Sequence, residues 1–222
     1  RYNILKRGFM KRFDKFTTRV TIALLATVFI GISIGIMRVI AFGVDPFTSS
    51  IIGISNSSKI DFRYIYPIVN AVILILIFFL NRPMIGMGTL INLLVIGPVA
   101  DYSQMFISNL YTNPSLAKSI GLLIFANLLM AFNVSLYANV DIGVSAYDSL
   151  FITINKKNPK LSLGLSRIIT DGVSILMGYL GKAPLGLGTV INLLLMGPLV
   201  EFFTKTSTKK ILNMFNISLP LA

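Results

Sequence analysis

Few side chains in this chain could do chemistry, and those that could lie in apolar surroundings. Asp45, Ser145, Asp148 and Asp171, together with Arg38, Asn92 and Asn192, fall within or at the ends of long hydrophobic runs. Polar and ionisable groups so placed are costly in lipid, face a bundle interior or a wet cavity, and mark solute or ion pathways. The chain of 222 residues has no Cys and no His. That removes thiolate nucleophiles, imidazole acid–base catalysis and the commonest zinc and haem ligands. What remains is recognition by charge and hydrogen bonding. We therefore expect a substrate-binding site drawn from Arg38, Asp45, Asn92, Ser145, Asp148, Asp171 and Asn192, with no catalytic residue, no metal site and no cofactor.

The elements that must position these groups come in matched pairs. Gly86-Met87-Gly88-Thr89-Leu90-Ile91-Asn92-Leu93-Leu94 leads to Gly97-Pro98 and ends on Asp101; Gly186-Leu187-Gly188-Thr189-Val190-Ile191-Asn192-Leu193-Leu194 leads to Gly197-Pro198 and ends on Glu201. Upstream, Gly43-Val44-Asp45-Pro46-Phe47-Thr48-Ser49 pairs with Gly143-Val144-Ser145-Ala146-Tyr147-Asp148-Ser149. Both pairs stand the same 100 residues apart, with no gap between them. Solenoid repeats run at roughly 20–50 residues. A period of this length instead reads as an internal duplication of membrane halves.

Composition agrees. Hydrophobic residues make up 55% and charged residues 13% of the chain, against about 25% charged for an ordinary soluble domain. The formal net charge of +12 would suggest nucleic acid in a soluble protein. Here the positive residues gather at the N-terminus and in loops, which points to anionic lipid at a cytoplasmic face and not to nucleic acid. The first residue is Arg1, so an initiator Met is expected to precede it. Residues 1–19 do not read as a signal peptide, because the apolar run that follows is long and lacks a small-residue cleavage pattern. They read as a basic anchor, helical along the membrane surface, or less favourably as a partner docking site.

The first span is Val20 to Phe42, with Gly31 and Gly35 spaced for close helix packing inside the bundle. Arg38 near its end either snorkels to the surface or contacts an anion. Asp45-Pro46 is a strong helix start, with an acid at the cap and Pro at the first turn; Ser145 with Asp148 reads as a capping box. The helices they open, Pro46 to Ser55 and Ala146 to Asn155, are too short to cross a bilayer and read as buried half-helices. Longer spans follow at Tyr64 to Leu80 and Leu161 to Leu180, the latter with Asp171 inside it. Thr89 and Thr189 are candidate N-caps for the segments after the Gly-x-Gly turns, and Pro98 and Pro198 are expected to kink them. Asn127, Asn133 and Asn139, six residues apart in a span from Ser119 to Asn139, do not share one helical stripe and are expected to hydrogen-bond separately. Asp101 and Glu201 are expected at solvated helix ends.

The expected fold is an all-α polytopic membrane protein of two tandem homologous halves. Each half has about three full transmembrane helices and one short half-helix, giving roughly six to eight membrane segments. Residues 1–19 form a basic cytoplasmic segment, 20–118 the first repeat, 119–204 the second and 205–222 a cytoplasmic tail. If the short helix crosses, the halves are parallel; if it is re-entrant, they are inverted. Crossing puts Lys59, Arg63, Lys118, Lys156, Lys157, Lys160, Lys205, Lys209 and Lys210 inside and leaves Arg82 and Lys182 out. Re-entrance moves Lys59, Arg63 and Lys118 outside. Charge thus favours parallel halves, with both half-helix N-termini opening to an outward-facing pocket.

Arg38 followed by Gly43-Val44-Asp45-Pro46-Phe47, then Gly86-x-Gly88-Thr89 and Asn92 to Gly97-Pro98, resembles the YczE/YyaS/YitT-type bacterial integral membrane proteins. Gly143-Val144-Ser145-Ala146-Tyr147-Asp148-Ser149-Leu150 is similar to that family's second copy, with Ala146 where Pro is usual. The resemblance covers about Val20 to Phe203 and implies a multi-pass protein of the bacterial inner membrane, with no settled substrate.

Three functions compete. A small-molecule transporter, or a substrate-binding subunit served by separate ATPase and coupling subunits, fits the duplication and half-helices best; the chain has no phosphate-binding loop of its own. A non-transporting accessory or assembly protein is second. An intramembrane enzyme acting on lipid comes last, because only Asp171, Asp101 and Glu201 could supply its acid–base pair.

Overall fold

The computed structural model describes residues 2–112 and 115–217, with side chains from Lys15 onward. Among the described residues nine α-helices follow one another: α1 (Tyr2–Ile40), α2 (Pro46–Ser58), α3 (Phe62–Asn81), α4 (Met87–Leu110), α5 (Leu116–Asn139), α6 (Ala146–Lys157), α7 (Leu163–Leu180), α8 (Leu187–Phe203) and α9 (Lys209–Met214). A single 3-10 turn, Arg82–Met84, precedes α4, and a π-helical turn, Thr204–Thr208, joins α8 to α9. No strand occurs among the described residues. Six segments among the described residues are long and apolar enough to cross a membrane: Lys15–Ile40, Phe62–Met84, Met87–Leu110, Leu116–Asn139, Leu163–Leu180 and Leu187–Met214. The basic N-terminal segment is part of α1, continuous with its apolar portion, and not a separate surface helix.

Polar residues set the helix starts. The Thr48 N–H donates to Asp45 Oδ1 at 3.0 Å, with Pro46 in the first turn of α2. The Asp148 N–H donates to Ser145 Oγ at 3.0 Å at the head of α6. No return bond from the Asp148 carboxylate closes that capping box. Ser115 and Ser162 cap α5 and α7 in the same way. The Gly-x-Gly turns correct an expectation: α4 and α8 start with Gly86 and Gly186 at the cap, so Thr89 and Thr189 stand one turn inside. Both α2 and α6 run slightly longer than expected, to Ser58 and Lys157, and neither has the length of a span. Pro98 and Pro198 lie within α4 and α8, which continue through them unbroken.

Side-chain contacts fix the helix directions. A Cβ on Gly31 would meet Val99, and one on Gly35 would lie 2.6 Å from the Ser103 Cβ. Residue numbers rise together along both helices, so α1 and α4 are parallel and closely packed, as glycine at this spacing allows. The Arg19 guanidinium, early in α1, donates to the Val140 carbonyl just past the end of α5 at 2.8 Å, so α5 runs against α1. The Gly188 N–H donates to Phe42 O at 2.8 Å, which places the start of α8 at the far end of α1. Hence α1 and α4 point one way, and α5 and α8 the other. The expectation of parallel halves is overturned: the second half runs opposite to the first, and α2 and α6 do not cross.

The charge argument failed because re-entrance moves Arg82 as well as Lys59. With opposed halves, Lys15, Arg19, Arg82, Lys156, Lys157, Lys160, Lys205, Lys209 and Lys210 share the face of the α1 N-terminus, while Lys59, Arg63, Lys118 and Lys182 lie opposite. A charge bias of the same sign survives the inversion. The cysteine-free chain makes this directly testable. Single cysteines at Lys59 and Lys157 are expected to react with an impermeant maleimide from opposite faces of sealed vesicles. Labelling from one face would restore the parallel arrangement.

Each short helix packs on the other half. In α2, a Cβ on Gly53 would lie 2.6 Å from Met177 O of α7, and one on Gly178 would lie 2.7 Å from Ser49 Oγ. In α6, Thr153 Oγ1 accepts from Asn81 Nδ2 of α3 at 3.2 Å. The linkers are exchanged too. The Gly88 N–H donates to Ile142 O at 2.7 Å, the Val144 N–H to Met84 O at 3.0 Å, and Thr89 Oγ1 to Val144 O at 2.7 Å. In this way the linker before α6 seats on the start of α4, and the linker before α2 on the start of α8. Glycine is required at these seats, for Gly43 and Gly143 hold φ of +106° and +117° against the opposing turns.

The outer faces of α3, α4 and α7 expose Ile75, Phe79, Leu94, Met105, Leu176 and Leu180, as lipid-facing helices do. Asn127, Asn133 and Asn139 each donate to the carbonyl four residues back, and Asn139 also reaches Thr204. Residues 205–217 pack on the bundle: Ser135 Oγ bonds Thr208 Oγ1 at 2.8 Å, and Leu212 and Ile217 are buried; residues 218–222 of the expected tail lie outside the described residues.

Candidate functional site

Two cavities stand out. The larger, about 840 Å³, is a side crevice between α1, α5 and the C-terminal residues, walled by Ile22, Leu25, Phe29, Phe132 and Phe215 with a few threonines. It has no ionisable group in its lining. The other, about 100 Å³, lies where the two short helices begin, between the middles of α1, α4, α5 and α8. This smaller one is the candidate site, because Asp45, Asp148, Asp171 and Arg167 converge on it from both halves.

Its lining contains Asp45, Asn92, Ser145, Asp148, Asp171 and Asn192, all expected from the sequence to form one site. Arg38 is not among them. It points to α4, where Nη1 meets Asp101 Oδ1 at 2.5 Å and the guanidinium lies 4.2 Å from the Phe62 ring centroid. Asp101 also accepts from the Arg63 backbone N–H at 3.2 Å. Its side chain is only 15% exposed, which corrects the expectation of a solvated helix end. Glu201, by contrast, is exposed and paired with Lys205.

The short helices bring their first turns together. The Phe47 and Tyr147 rings stack with centroids 4.5 Å apart, and Tyr66 meets Phe47 edge-on at 5.8 Å. Asp171, from α7, has both oxygens engaged. Oδ1 accepts from the Tyr147 hydroxyl at 2.5 Å, and Oδ2 lies 3.6 Å from Arg167 Nε. The Ser174 hydroxyl donates to the Tyr147 oxygen at 3.3 Å. Asp171 is thus a structural partner for Arg167 and Tyr147.

Other polar groups are left open. Asp45 Oδ2, Asn192 Oδ1 and the Tyr137 hydroxyl are buried without a partner, and all three residues line the cavity. Asn192 is held by Nδ2, which donates to Gly188 O at 2.9 Å. Asn92 Oδ1 receives only a long bond, 3.4 Å, from the Tyr66 hydroxyl. Buried polar groups are hydrogen-bonded almost without exception, so a cluster of open ones at one cavity asks for a water or a ligand.

Arg167, Phe47, Tyr66 and Tyr137 belong to this site and are not among the residues singled out from the sequence. Arg167 was within reach, since Arg four residues before Asp on an apolar helix forms a pair on one face. The aromatic residues carry no such signal in a chain rich in Phe and Tyr. Among the described residues, no three acidic side chains gather to hold a metal ion. Asp171, Asp101 and Glu201, the acid–base candidates for lipid chemistry, sit in three separate environments.

Residues 17–205 match a family of unknown function, DUF6198, and the chain belongs to that family. It is similar to an uncharacterised protein of Haemophilus influenzae, with 26% identity over 184 residues that cover 83% of this chain and 82% of the relative. No solved structure matches it.

Proposed function

We propose that this member of the DUF6198 family is a non-enzymatic, solute-handling protein of the bacterial inner membrane. It would act as a small-molecule transporter or as the substrate-binding subunit of one, with both termini cytoplasmic. The observation that carries this reading is the meeting of two oppositely directed half-helices midway along the bundle, around a cavity with unpartnered polar atoms. Secondary transporters with discontinuous helices place their sites in just such a position, at the interface of two opposed halves. The 100-residue recurrence of the motifs supports reading those halves as one duplicated unit. The basic face of the α1 N-terminus supports the orientation. Energy would come from a coupled ion or from separate ATPase and coupling subunits.

A second reading keeps the protein as a membrane accessory or assembly factor. It is favoured by the small cavity and by the ion-paired closure around Asp101. Reconstituted vesicles separate the two. A transporter should move some solute saturably in a screen across cationic, neutral and anionic compounds. Val134→Phe, which fills the cavity from α5, should weaken uptake by roughly tenfold or more. Vesicles that pass or retain no solute of any class would leave the accessory reading.

A further inference from the structure

We infer, resting on the reading just given, that the solute is a small organic cation of the ammonium type, bound between Asp45 and Asp148. Helix N-termini ordinarily favour anions, but the side chains of Asp45 and Ser145 already cap these two, and the N–H groups left unbonded are those of Phe47, Ala146 and Tyr147. Pro46 has no N–H, the Thr48 and Ser49 N–H groups bond Asp45, and the Asp148 and Ser149 N–H groups bond Ser145. The side chains open to the cavity are mainly acceptors, with the Tyr137 hydroxyl able to act either way. Asp45 Oδ2 and Asn192 Oδ1 are buried with no partner. Asn192 is only 3% exposed, and its amide nitrogen is tied to Gly188 O, so its oxygen is the end left open. Among the described residues the Asp148 carboxylate has no hydrogen-bond or ion-pair partner.

Charge gives the same answer. Arg167 is the one cation in the lining, and it is matched to Asp171 at 3.6 Å. That leaves Asp45 and Asp148, both half-buried, with no cationic side chain among the described residues, where an uncompensated carboxylate is costly. A cationic ligand supplies the missing charge and the missing donors together. The stacked Phe47 and Tyr147 add π surface, which attracts an organic ammonium group. Size bounds the ligand. The cavity is small, about 100 Å³, which suits a cation of only a few heavy atoms.

The test is thermal-shift and calorimetric titration of the full chain in mild detergent. The probes are methylammonium, ethylammonium and tetramethylammonium chlorides, with sodium chloride, sodium acetate and acetamide beside them. At least one organic ammonium should bind saturably. Asp148→Asn keeps the backbone N–H that bonds Ser145 and should raise the Kd at least about tenfold, without lowering the melting temperature of the empty protein. Asp148→Glu should recover part of the affinity. Saturable binding of acetate, acetamide or sodium alone would overturn the organic-cation assignment while leaving a solute-binding protein. Binding of none of the probes, combined with no uptake in the vesicle screen, would overturn the assignment and the solute-handling reading together.

Discussion

Gly143→Ala is expected to remove on the order of 3 kcal/mol or more of stability, a large share of the roughly 5–15 kcal/mol of a typical fold. Two effects add. Gly143 sits at φ +117°, where an L side chain costs about 1–3 kcal/mol. Its new Cβ would also lie 2.7 Å from Gly86 N and Cα and from Thr89 Oγ1. Overpacking of that kind costs typically 1–3 kcal/mol, and backbone cannot swing aside as a side chain would. The neighbouring bonds from Gly88 N–H to Ile142 O and from Val144 N–H to Met84 O hold both chains in place. Gly43→Ala, against Thr189 and Gly186 at φ +106°, is expected to behave alike. Gly172→Ala is the control: nothing lies within 4 Å of its would-be Cβ, and in a helix interior Ala gains about 0.5–1 kcal/mol over Gly. Denaturant titration in mixed micelles reads the difference. If Gly143→Ala unfolds at the same midpoint as Gly172→Ala, the exchanged linkers are not what joins the halves.

That result bears on what the sequence makes legible. The glycines, the short helices and the six spans follow from spacing and from lengths set by the bilayer. Asp45 and Ser145 can be read as helix starts because capping is local. Even the gathering of Asn92 and Asn192 with them follows once the motifs are paired. The direction of the halves does not follow. It depends on whether Pro46–Ser58 reaches across or turns back, and a helix of that length is compatible with both. Loop charges were the available arbiter, and they fail because turning back carries Arg82 to one face while carrying Lys59 to the other. Thr89 is misplaced as a cap for a related reason: its partners, Val144 and the turn at Met84, come from opposite halves. The engagement of Asp171 could be half seen, through Arg167 one turn away, but Tyr147 reaches it from another helix.

Asp101 gives the second large effect, since its partner stands 63 residues away in the chain. Arg38 and Asp101 are 14% and 15% exposed at the side chain, and the guanidinium is sandwiched between the carboxylate and the Phe62 ring. Removing one member of a buried pair typically costs about 3–5 kcal/mol, because the other charge is left uncompensated. With some exposure to water, Asp101→Asn should fall near the low end, about 2–3 kcal/mol, and Arg38→Gln below it, because Asp101 keeps the Arg63 backbone N–H and has Arg63 Nε at 4.0 Å. Replacing both by apolar residues, Arg38→Met with Asp101→Leu, should recover much of that loss. The double-mutant cycle should then report a coupling within the 0.5–3 kcal/mol seen for residues in contact. Additive losses would mean the two side chains do not act as a pair. The opposite half has no equivalent: Ala138 and Glu201 stand at the matching positions, and Glu201 pairs with Lys205 in solvent. There α5 is joined to the end of α8 by hydroxyls, Ser135 to Thr204 and Thr208. Neutral bonds of that kind contribute about 0.5–1.5 kcal/mol each, so Ser135→Ala should cost less than either charge mutation. The α1–α4 grip is therefore the firmer of the two, and an opening of the central cavity is expected to part α5 from α8 first.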